Sequence, residues 1–267
     1  MGAPAVDSQL LQFAVRLAGQ AGGLAAERFF AGDYRVAVKD DGTEVTEADL
    51  AVEDLVRGEL LRHCPRDGIY GEEGGTVEGA SGRRWIIDPI NGTAYFVSGI
   101  PLFDTLLAYE DEHGPAIGVI CQPVARQLVF AGRGLGCWVR SGAGDDRRPV
   151  LRAAADLRHT RVQPHNMNTW HTDLLLALHR NVTLTGYFGG VTGVLTGALD
   201  AMVIAGFPMG YEDVAPLPVV MAEAGGRVTD LSGGPVLSGP GTALVSTGGR
   251  HDELLGLVAG LPHDRPG

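Results

Sequence analysis

The stretch Trp85-Ile86-Ile87-Asp88-Pro89-Ile90-Asn91-Gly92-Thr93-Ala94-Tyr95-Phe96 constrains this chain more than any other. An apolar run ends on a carboxylate, then gives way to proline, an amide, glycine and threonine. The pattern predicts a short buried strand that stops at Pro89, because proline brings no N–H to a ladder. Gly92 permits a turn and lets the backbone approach a ligand closely. Asp88 then stands at a strand end, facing a loop with N–H groups at Gly92 and Thr93. A carboxylate suits a divalent cation and clustered N–H groups suit an anion, so the two together fit a metal–phosphate ligand. A strand followed by an Asx-type turn with no chemistry fits the same letters.

The 267 residues allow one large or two modest domains, and 45% apolar content supports a real core. A net charge of -11 argues against nucleic acid or an anionic membrane as a bulk partner. An acidic protein that handles phosphate needs cations at its site, which metal ions supply. Cys64, Cys121 and Cys137 form no C-x-x-C pair, which points to a reducing, cytoplasmic setting. The N-terminus has no signal-peptide pattern, and no apolar run approaches the ~20 residues of a membrane span.

In chain order, residues 8–30 predict a helix capped by Asp7 or Ser8 and ended by Gly32. Asp41-Gly42 is a turn signal. Thr46-x-x-Asp49 is a variant capping box that opens a helix to about Cys64, with Leu50, Glu53, Leu55 and Leu60 on a mixed face. A short strand precedes Glu72-Glu73, followed by glycines. Residues 101–110, 117–122, 127–131 and 136–140 read as strands of an antiparallel sheet. Residues 141–148 are a candidate linker or a hairpin tip. Beyond it, 159–163, 182–185 and 199–204 read as strands, and 170–180 and 189–197 as helices. His165 and His171 lack metal-binding spacing and read as surface or pocket groups. Asp213 reads as an acid at the start of a helix with Pro216 in its first turn. The expected division is 1–145, α+β, and 146–267, α/β.

Taken together, Lys39-Asp40-Asp41-Gly42, Val45-Thr46-Glu47-Ala48-Asp49, Gly71-Glu72-Glu73, the stretch from Trp85 to Phe96, and Asp213 with Glu223-Ala224-Gly225-Gly226 resemble the inositol monophosphatase family of Mg2+-dependent phosphatases. Asp41-Gly42-Thr43 and Ser81-Gly82-Arg83-Arg84-Trp85 look most like its bacterial histidinol-phosphatase-type branch. The resemblance implies the layered α-β-α-β-α sandwich of sugar phosphatases of the inositol monophosphatase and fructose-1,6-bisphosphatase type. It implies Mg2+, with Mn2+ as a substitute, held by Glu72, Asp88, the Ile90 carbonyl, Asn91 and Asp213. It implies that Asp49 pairs with Thr93 to activate the attacking water, that Glu73 lies beside the metal's water shell, and that Gly92 and Thr93 hold phosphate. Lys39 falls at the site mouth, and Glu212 joins the substrate wall. The partner is then a small phosphorylated metabolite, and the protein a homodimer.

Three positions depart from the family pattern. Asn91 replaces an aspartate that ligates metal, Glu212 replaces a tryptophan, and Ile204 or Ala205 stands where inositol-phosphate enzymes carry a glutamate. The substrate expected is therefore histidinol phosphate, a nucleoside monophosphate or an amino-sugar phosphate rather than inositol phosphate. The competing reading is a binding or regulatory protein that kept the pocket and lost turnover through Asn91. Asn91 is neutral, so it removes one charge from the second-metal site. Asn91→Asp is expected to lower the Mg2+ concentration that gives half-maximal rate. A titration of initial rate against Mg2+ for both proteins checks this, and identical curves would clear Asn91 as a limiting residue.

Overall fold

The computed structural model describes residues 2–40, 42–186 and 189–265. The chain divides into two compact units, Met1–Arg147 and Arg148–Gly267.

The first unit opens with α1 (Ser8–Ala31). Asp7 accepts a hydrogen bond from Gln9 N–H at the helix start, and Gly32 ends it in the left-handed region at φ 65°. A small hairpin follows, β1 (Val36–Val38) and β2 (Glu44–Thr46). The turn signal at Asp41 lies outside the described residues; its neighbour Gly42 has φ 86°. Next come α2 (Glu47–His63), β3 (Gly68–Gly71), β4 (Gly75–Val77) and β5 (Arg84–Asn91). After α3 (Thr93–Val97), the chain runs through β6 (Asp104–Asp111), β7 (Gly114–Gln122), β8 (Gln127–Gly132) and β9 (Gly136–Ser141). Seven strands form one sheet in the order β4-β3-β5-β6-β7-β8-β9, antiparallel except where β3 runs beside β5. The helices α1 and α2 pack on one face, over a core that includes Trp85, Ile87, Leu107, Ile117 and Val119. Fully burying a side chain of this size contributes about 1.5–3 kcal/mol.

Sequence expectations and structure part at several points here. β5 does not stop at Pro89. Asp88 pairs with Leu106 and Asn91 with Asp104, so three steps on β5 match two on β6. The extra residue is a β-bulge, where a missing N–H costs no ladder bond. Thr105 Oγ1 donates to the Pro89 carbonyl at 2.9 Å. Leu50 is exposed, and the packed face of α2 is Ala48, Asp49, Val52, Glu53, Val56 and Leu60. The segment after β9 takes the hairpin-tip form, in which Val139 and Arg147 exchange backbone hydrogen bonds of 2.8 and 2.9 Å and Arg140 pairs with Asp146 at 2.6 Å, and the boundary between the two units falls at its end, after Arg147.

The second unit holds β10 (Arg161–His165), α4 (Thr172–Asn181), β11 (Thr183–Leu184), α5 (Gly190–Leu195) and β12 (Ala201–Ile204). It continues with α6 (Tyr211–Val214), α7 (Leu217–Ala224), β13 (Arg227–Thr229), β14 (Ala243–Ser246) and α8 (His251–Val258). Its sheet order is β11-β10-β12-β14-β13, with β10 parallel to both neighbours and β14 antiparallel to both of its own. Asp213 and Pro216 do not share one helix. The short α6 ends at Val214, and Pro216 caps α7, where its fixed φ suits a helix start. His171 caps α4, accepting from Asp173 N–H at 3.2 Å. No described helix is long and apolar enough to cross a membrane.

His251 ties α8 to the sheet. It is fully buried, with Nδ1 2.8 Å from Ser246 Oγ and Nε2 3.0 Å from Thr229 Oγ1. Thr229 gives its own proton to the Asp230 carbonyl, so it accepts from Nε2–H and Nδ1 accepts from Ser246. This arrangement uses a neutral ring. Burial, aided by the charge of Arg227, pushes the His251 pKa down from 6.5 to about 4. Above about pH 6.5 both folded and unfolded rings are neutral. As pH falls, the unfolded chain takes up a proton that the folded one refuses until about pH 4. Stability is therefore lost on acidification, by about 3 kcal/mol from this group. Denaturant unfolding of wild type and His251→Gln between pH 7 and 4 measures it. The wild type is expected to lose about 3 kcal/mol more than the variant over that range, and parallel curves would overturn the assignment.

Candidate active site

The first unit gathers its chemistry at the start of α2 and the ends of β3 and β5. Asp49 is the third residue of α2 and is fully buried. Its Oδ2 accepts from Thr46 N–H at 2.8 Å and from Thr46 Oγ1 at 2.5 Å, completing the capping box. Its Oδ1 remains for Thr93, whose Oγ1 lies 3.2 Å away and 3.0 Å from the Ile90 carbonyl. The cap thus orients a carboxylate with one oxygen committed and one aimed at the hydroxyl. Burial raises the Asp49 pKa, the bonds from Thr46 work against it, and the charge of Glu72 adds to the rise.

Glu72 continues the line of β3, its N–H donating to the Ile87 carbonyl at 3.2 Å. Lys39 Nζ lies 2.8 Å from Glu72 Oε1 and 2.7 Å from Glu73 Oε1. Burial opposes a charged Lys39, but the two carboxylates outweigh it and raise its pKa. Burial also pushes Glu73 up to about 7, with Lys39 opposing and Glu72 reinforcing the shift. Among the described residues, no three His, Cys, Asp or Glu side chains converge as a ready metal site. The ammonium of Lys39 sits where the glutamates call for a cation. Asp88 is 1% exposed, and its Oδ1 accepts no hydrogen bond. The donor set of carboxylates, the Ile90 carbonyl and the Asn91 amide is all oxygen, which fits a hard divalent cation.

Glu53 was legible only as one residue of a mixed helix face, yet it holds the acidic loop in place. Its Oε2 accepts from Glu73 N–H at 2.8 Å and its Oε1 from Gly74 N–H at 2.7 Å. Arg57, one turn on, pairs with it at 2.6 Å and donates to the Gly75 carbonyl. A Cβ at Gly71 would stand 2.2 Å from Glu53 Oε1, so glycine is required there. The signal was present: Glu53 and Arg57 stand four apart among Val52, Val56 and Leu60, a charged pair at helical spacing on an apolar face. Asp104 was missed too. It lies across from Asn91, and burial pushes its pKa up to about 7 against a hydrogen bond with Gln122.

In the second unit, Asp213 Oδ2 accepts from Gly210 N–H at 2.7 Å. Glu212 is half-buried, and its Oε2 accepts no hydrogen bond. Ile204 and Ala205 are buried at the end of β12.

Mixed sheets flanked by helices, with acids gathered at the strand ends of the first unit, define an α/β sandwich. The sequence pattern of the inositol monophosphatase family matches residues 6–261. Histidinol-phosphatase of Mycobacterium tuberculosis is 35% identical over 252 residues, covering 92% of this chain and 96% of its own. Inositol-1-monophosphatase of Mesorhizobium japonicum is 35% identical over 214 residues, covering 76% and 77%. The crystal structure of extragenic suppressor protein suhB from Bartonella henselae superposes with a TM-score of 0.84 at 25% identity, covering 94% of this chain and 98% of that one. The chain belongs to the inositol monophosphatase family, and its fold is the α/β sandwich of that family.

Removing Glu53 leaves Arg57, whose side chain is 13% exposed, without its partner and strips two loop N–H groups of their acceptor. Glu53→Ala is expected to cost about 3–5 kcal/mol in denaturant unfolding. A loss under about 1 kcal/mol would show that the loop holds itself.

Proposed function

We propose that this chain is a divalent-cation-dependent phosphatase that hydrolyses a small phosphomonoester, with histidinol phosphate as the first candidate. A nucleoside monophosphate or an amino-sugar phosphate comes next. The observation that carries the reading is the buried Asp49 with one oxygen directed at the Thr93 hydroxyl, beside the strand-end acids Glu72 and Asp88. The 35% identity to a histidinol-phosphatase over nearly the whole chain supports the substrate, as do Ile204 and Ala205 in place of a hydroxyl-reading glutamate.

Thr93 donates its proton to Asp49 and so presents its oxygen lone pairs outward. That oxygen can then accept a hydrogen bond from the attacking water and turn the water's own lone pair toward phosphorus. As the new P–O bond forms, the water gives up one proton through the Thr93 hydroxyl to Asp49, the ester P–O bond breaks, and the alcohol leaves with a proton from solvent. Gly92 and Thr93 N–H, in the first turn of α3, hold the phosphoryl oxygens. Glu72, Asp88, the Ile90 carbonyl and Asn91 are the groups of the first unit that would hold Mg2+ or Mn2+. Bound there, such ions neutralise the phosphoryl oxygens and stabilise the leaving oxygen. Glu73 orders the surrounding water, Lys39 attends the mouth, and Glu212 lines the substrate wall. The protein acts as a homodimer in the cytoplasm, away from nucleic acid and membrane.

Phosphate release from a panel of phosphomonoesters, with Mg2+ or Mn2+, tests this. Release is expected from histidinol phosphate well above inositol 1-phosphate, and Thr93→Ala is expected to lower kcat about 100-fold or more with KM changed only a few-fold. A flat panel with tight ligand binding would favour the binding-protein reading instead.

A further inference from the structure

Asn91 departs from the family motif by the loss of one negative charge, and the strand register shows where a carboxylate stands instead. Residues directly opposite each other in an antiparallel pair point to the same face of the sheet. Asn91 is opposite Asp104, and Asp88 is opposite Leu106. Asp104 and Leu106 are two apart on β6 and therefore share a face. The bulge in β5 thus brings Asp88, Asn91 and Asp104 to one face, with Asp104 one strand away from the amide.

Asp104 is not placed there by a salt bridge. Among the described residues no lysine, arginine or histidine pairs with it, and the hydrogen bond it makes to a side chain goes to Gln122. Gln122 belongs to the next strand, where Thr105 is opposite Cys121, so it is the cross-strand neighbour of Asp104. The row Asn91, Asp104, Gln122 is a carboxyl flanked by two neutral amides. A carboxylate set between neutral neighbours and only partly exposed to water is costly unless a cation or a proton compensates it. An asparagine at position 104 would hydrogen-bond as well at lower cost.

We propose that Asp104 supplies the carboxylate charge that the family motif carries at position 91, so that the second-cation site draws its aspartate from β6 instead of β5. The inference rests on the phosphatase reading for the presence of cations at this site. It concerns how they are held, so it is tested by binding.

The probe is Mn2+, followed by isothermal titration and by the electron paramagnetic resonance signal of the free ion. The proteins are wild type, Asp104→Asn, Asn91→Asp and the double variant. Asp104→Asn is expected to weaken one Mn2+ site about tenfold or more, the scale seen when a group supporting a metal is lost. Its melting temperature without metal should be unchanged or raised, because an uncompensated acid has been removed. Asn91→Asp should tighten the same site, and adding Asp104→Asn to it should bring the affinity back to the wild-type value. The proposal is overturned if Asp104→Asn leaves the isotherm within twofold of wild type, or if wild type binds no Mn2+. Should Asp104→Asn fail to fold alone, the comparison of Asn91→Asp with the double variant decides. Equal affinity in those two would mean Asp104 contributes nothing. A protein that shows this Mn2+ behaviour and releases no phosphate from any substrate would sink the phosphatase reading and leave the role of Asp104 standing.

Discussion

A strand alternates its side chains, so residues three apart face opposite sides. Asp88 and Asn91 are three apart, and a regular β5 would send one of them into the helix-packed core with Ile87 and Leu107. The extra residue between them reverses that parity. Pro89 accounts for why the irregularity falls there. Having no N–H, it costs nothing at the unpaired position and would cost a ladder bond anywhere else in a central strand. The bulge also delivers the chain to Gly92, whose φ of 98° starts α3 and sets Thr93 against Asp49. One backbone insertion therefore positions a strand-end acid, an amide and a hydroxyl.

The remaining acids are held by charge complementarity within the first unit. Glu53 is buried on α2, clamped by Arg57, and accepts two N–H groups from the loop that carries Glu72 and Glu73. Gly71 and Gly74 flank that loop because Glu53 and Arg57 fill the space their side chains would need, and Gly75 follows with a positive φ of 64°. The acids that face outward are thus fixed by one that faces inward. A helix cap plays the same part for Asp49, which owes its orientation to Thr46 more than to Thr93.

Much of this was legible in sequence because it is local. The cap Thr46-x-x-Asp49, the glycine after α1, and the alternation in the strands of the first sheet are written in neighbouring residues. The continuation of β5 past Pro89 was not, because a bulge depends on what the partner strand offers. For the same reason Asp104 stayed invisible: its importance comes from standing opposite Asn91, thirteen positions away by number and one strand away in space. Glu53 showed its spacing but not its purpose, since its acceptors' donors lie in a distant loop. The region after Asp230 carried no motif, and β14 and α8 became apparent only through pairing and the buried His251.

The bridge from Lys39 to both glutamates has a consequence for how the site meets a cation. The acids do not wait as bare charges repelling one another; an internal ammonium sits between them and offsets one of the two charges. Any ion that engages Glu72 enters by exchange, and its measured affinity is the difference between its own attraction and that of the lysine it displaces. The lysine so released stays tethered one side chain from the cluster. The first unit thus carries its own counterion for these acids, one that an entering cation must displace.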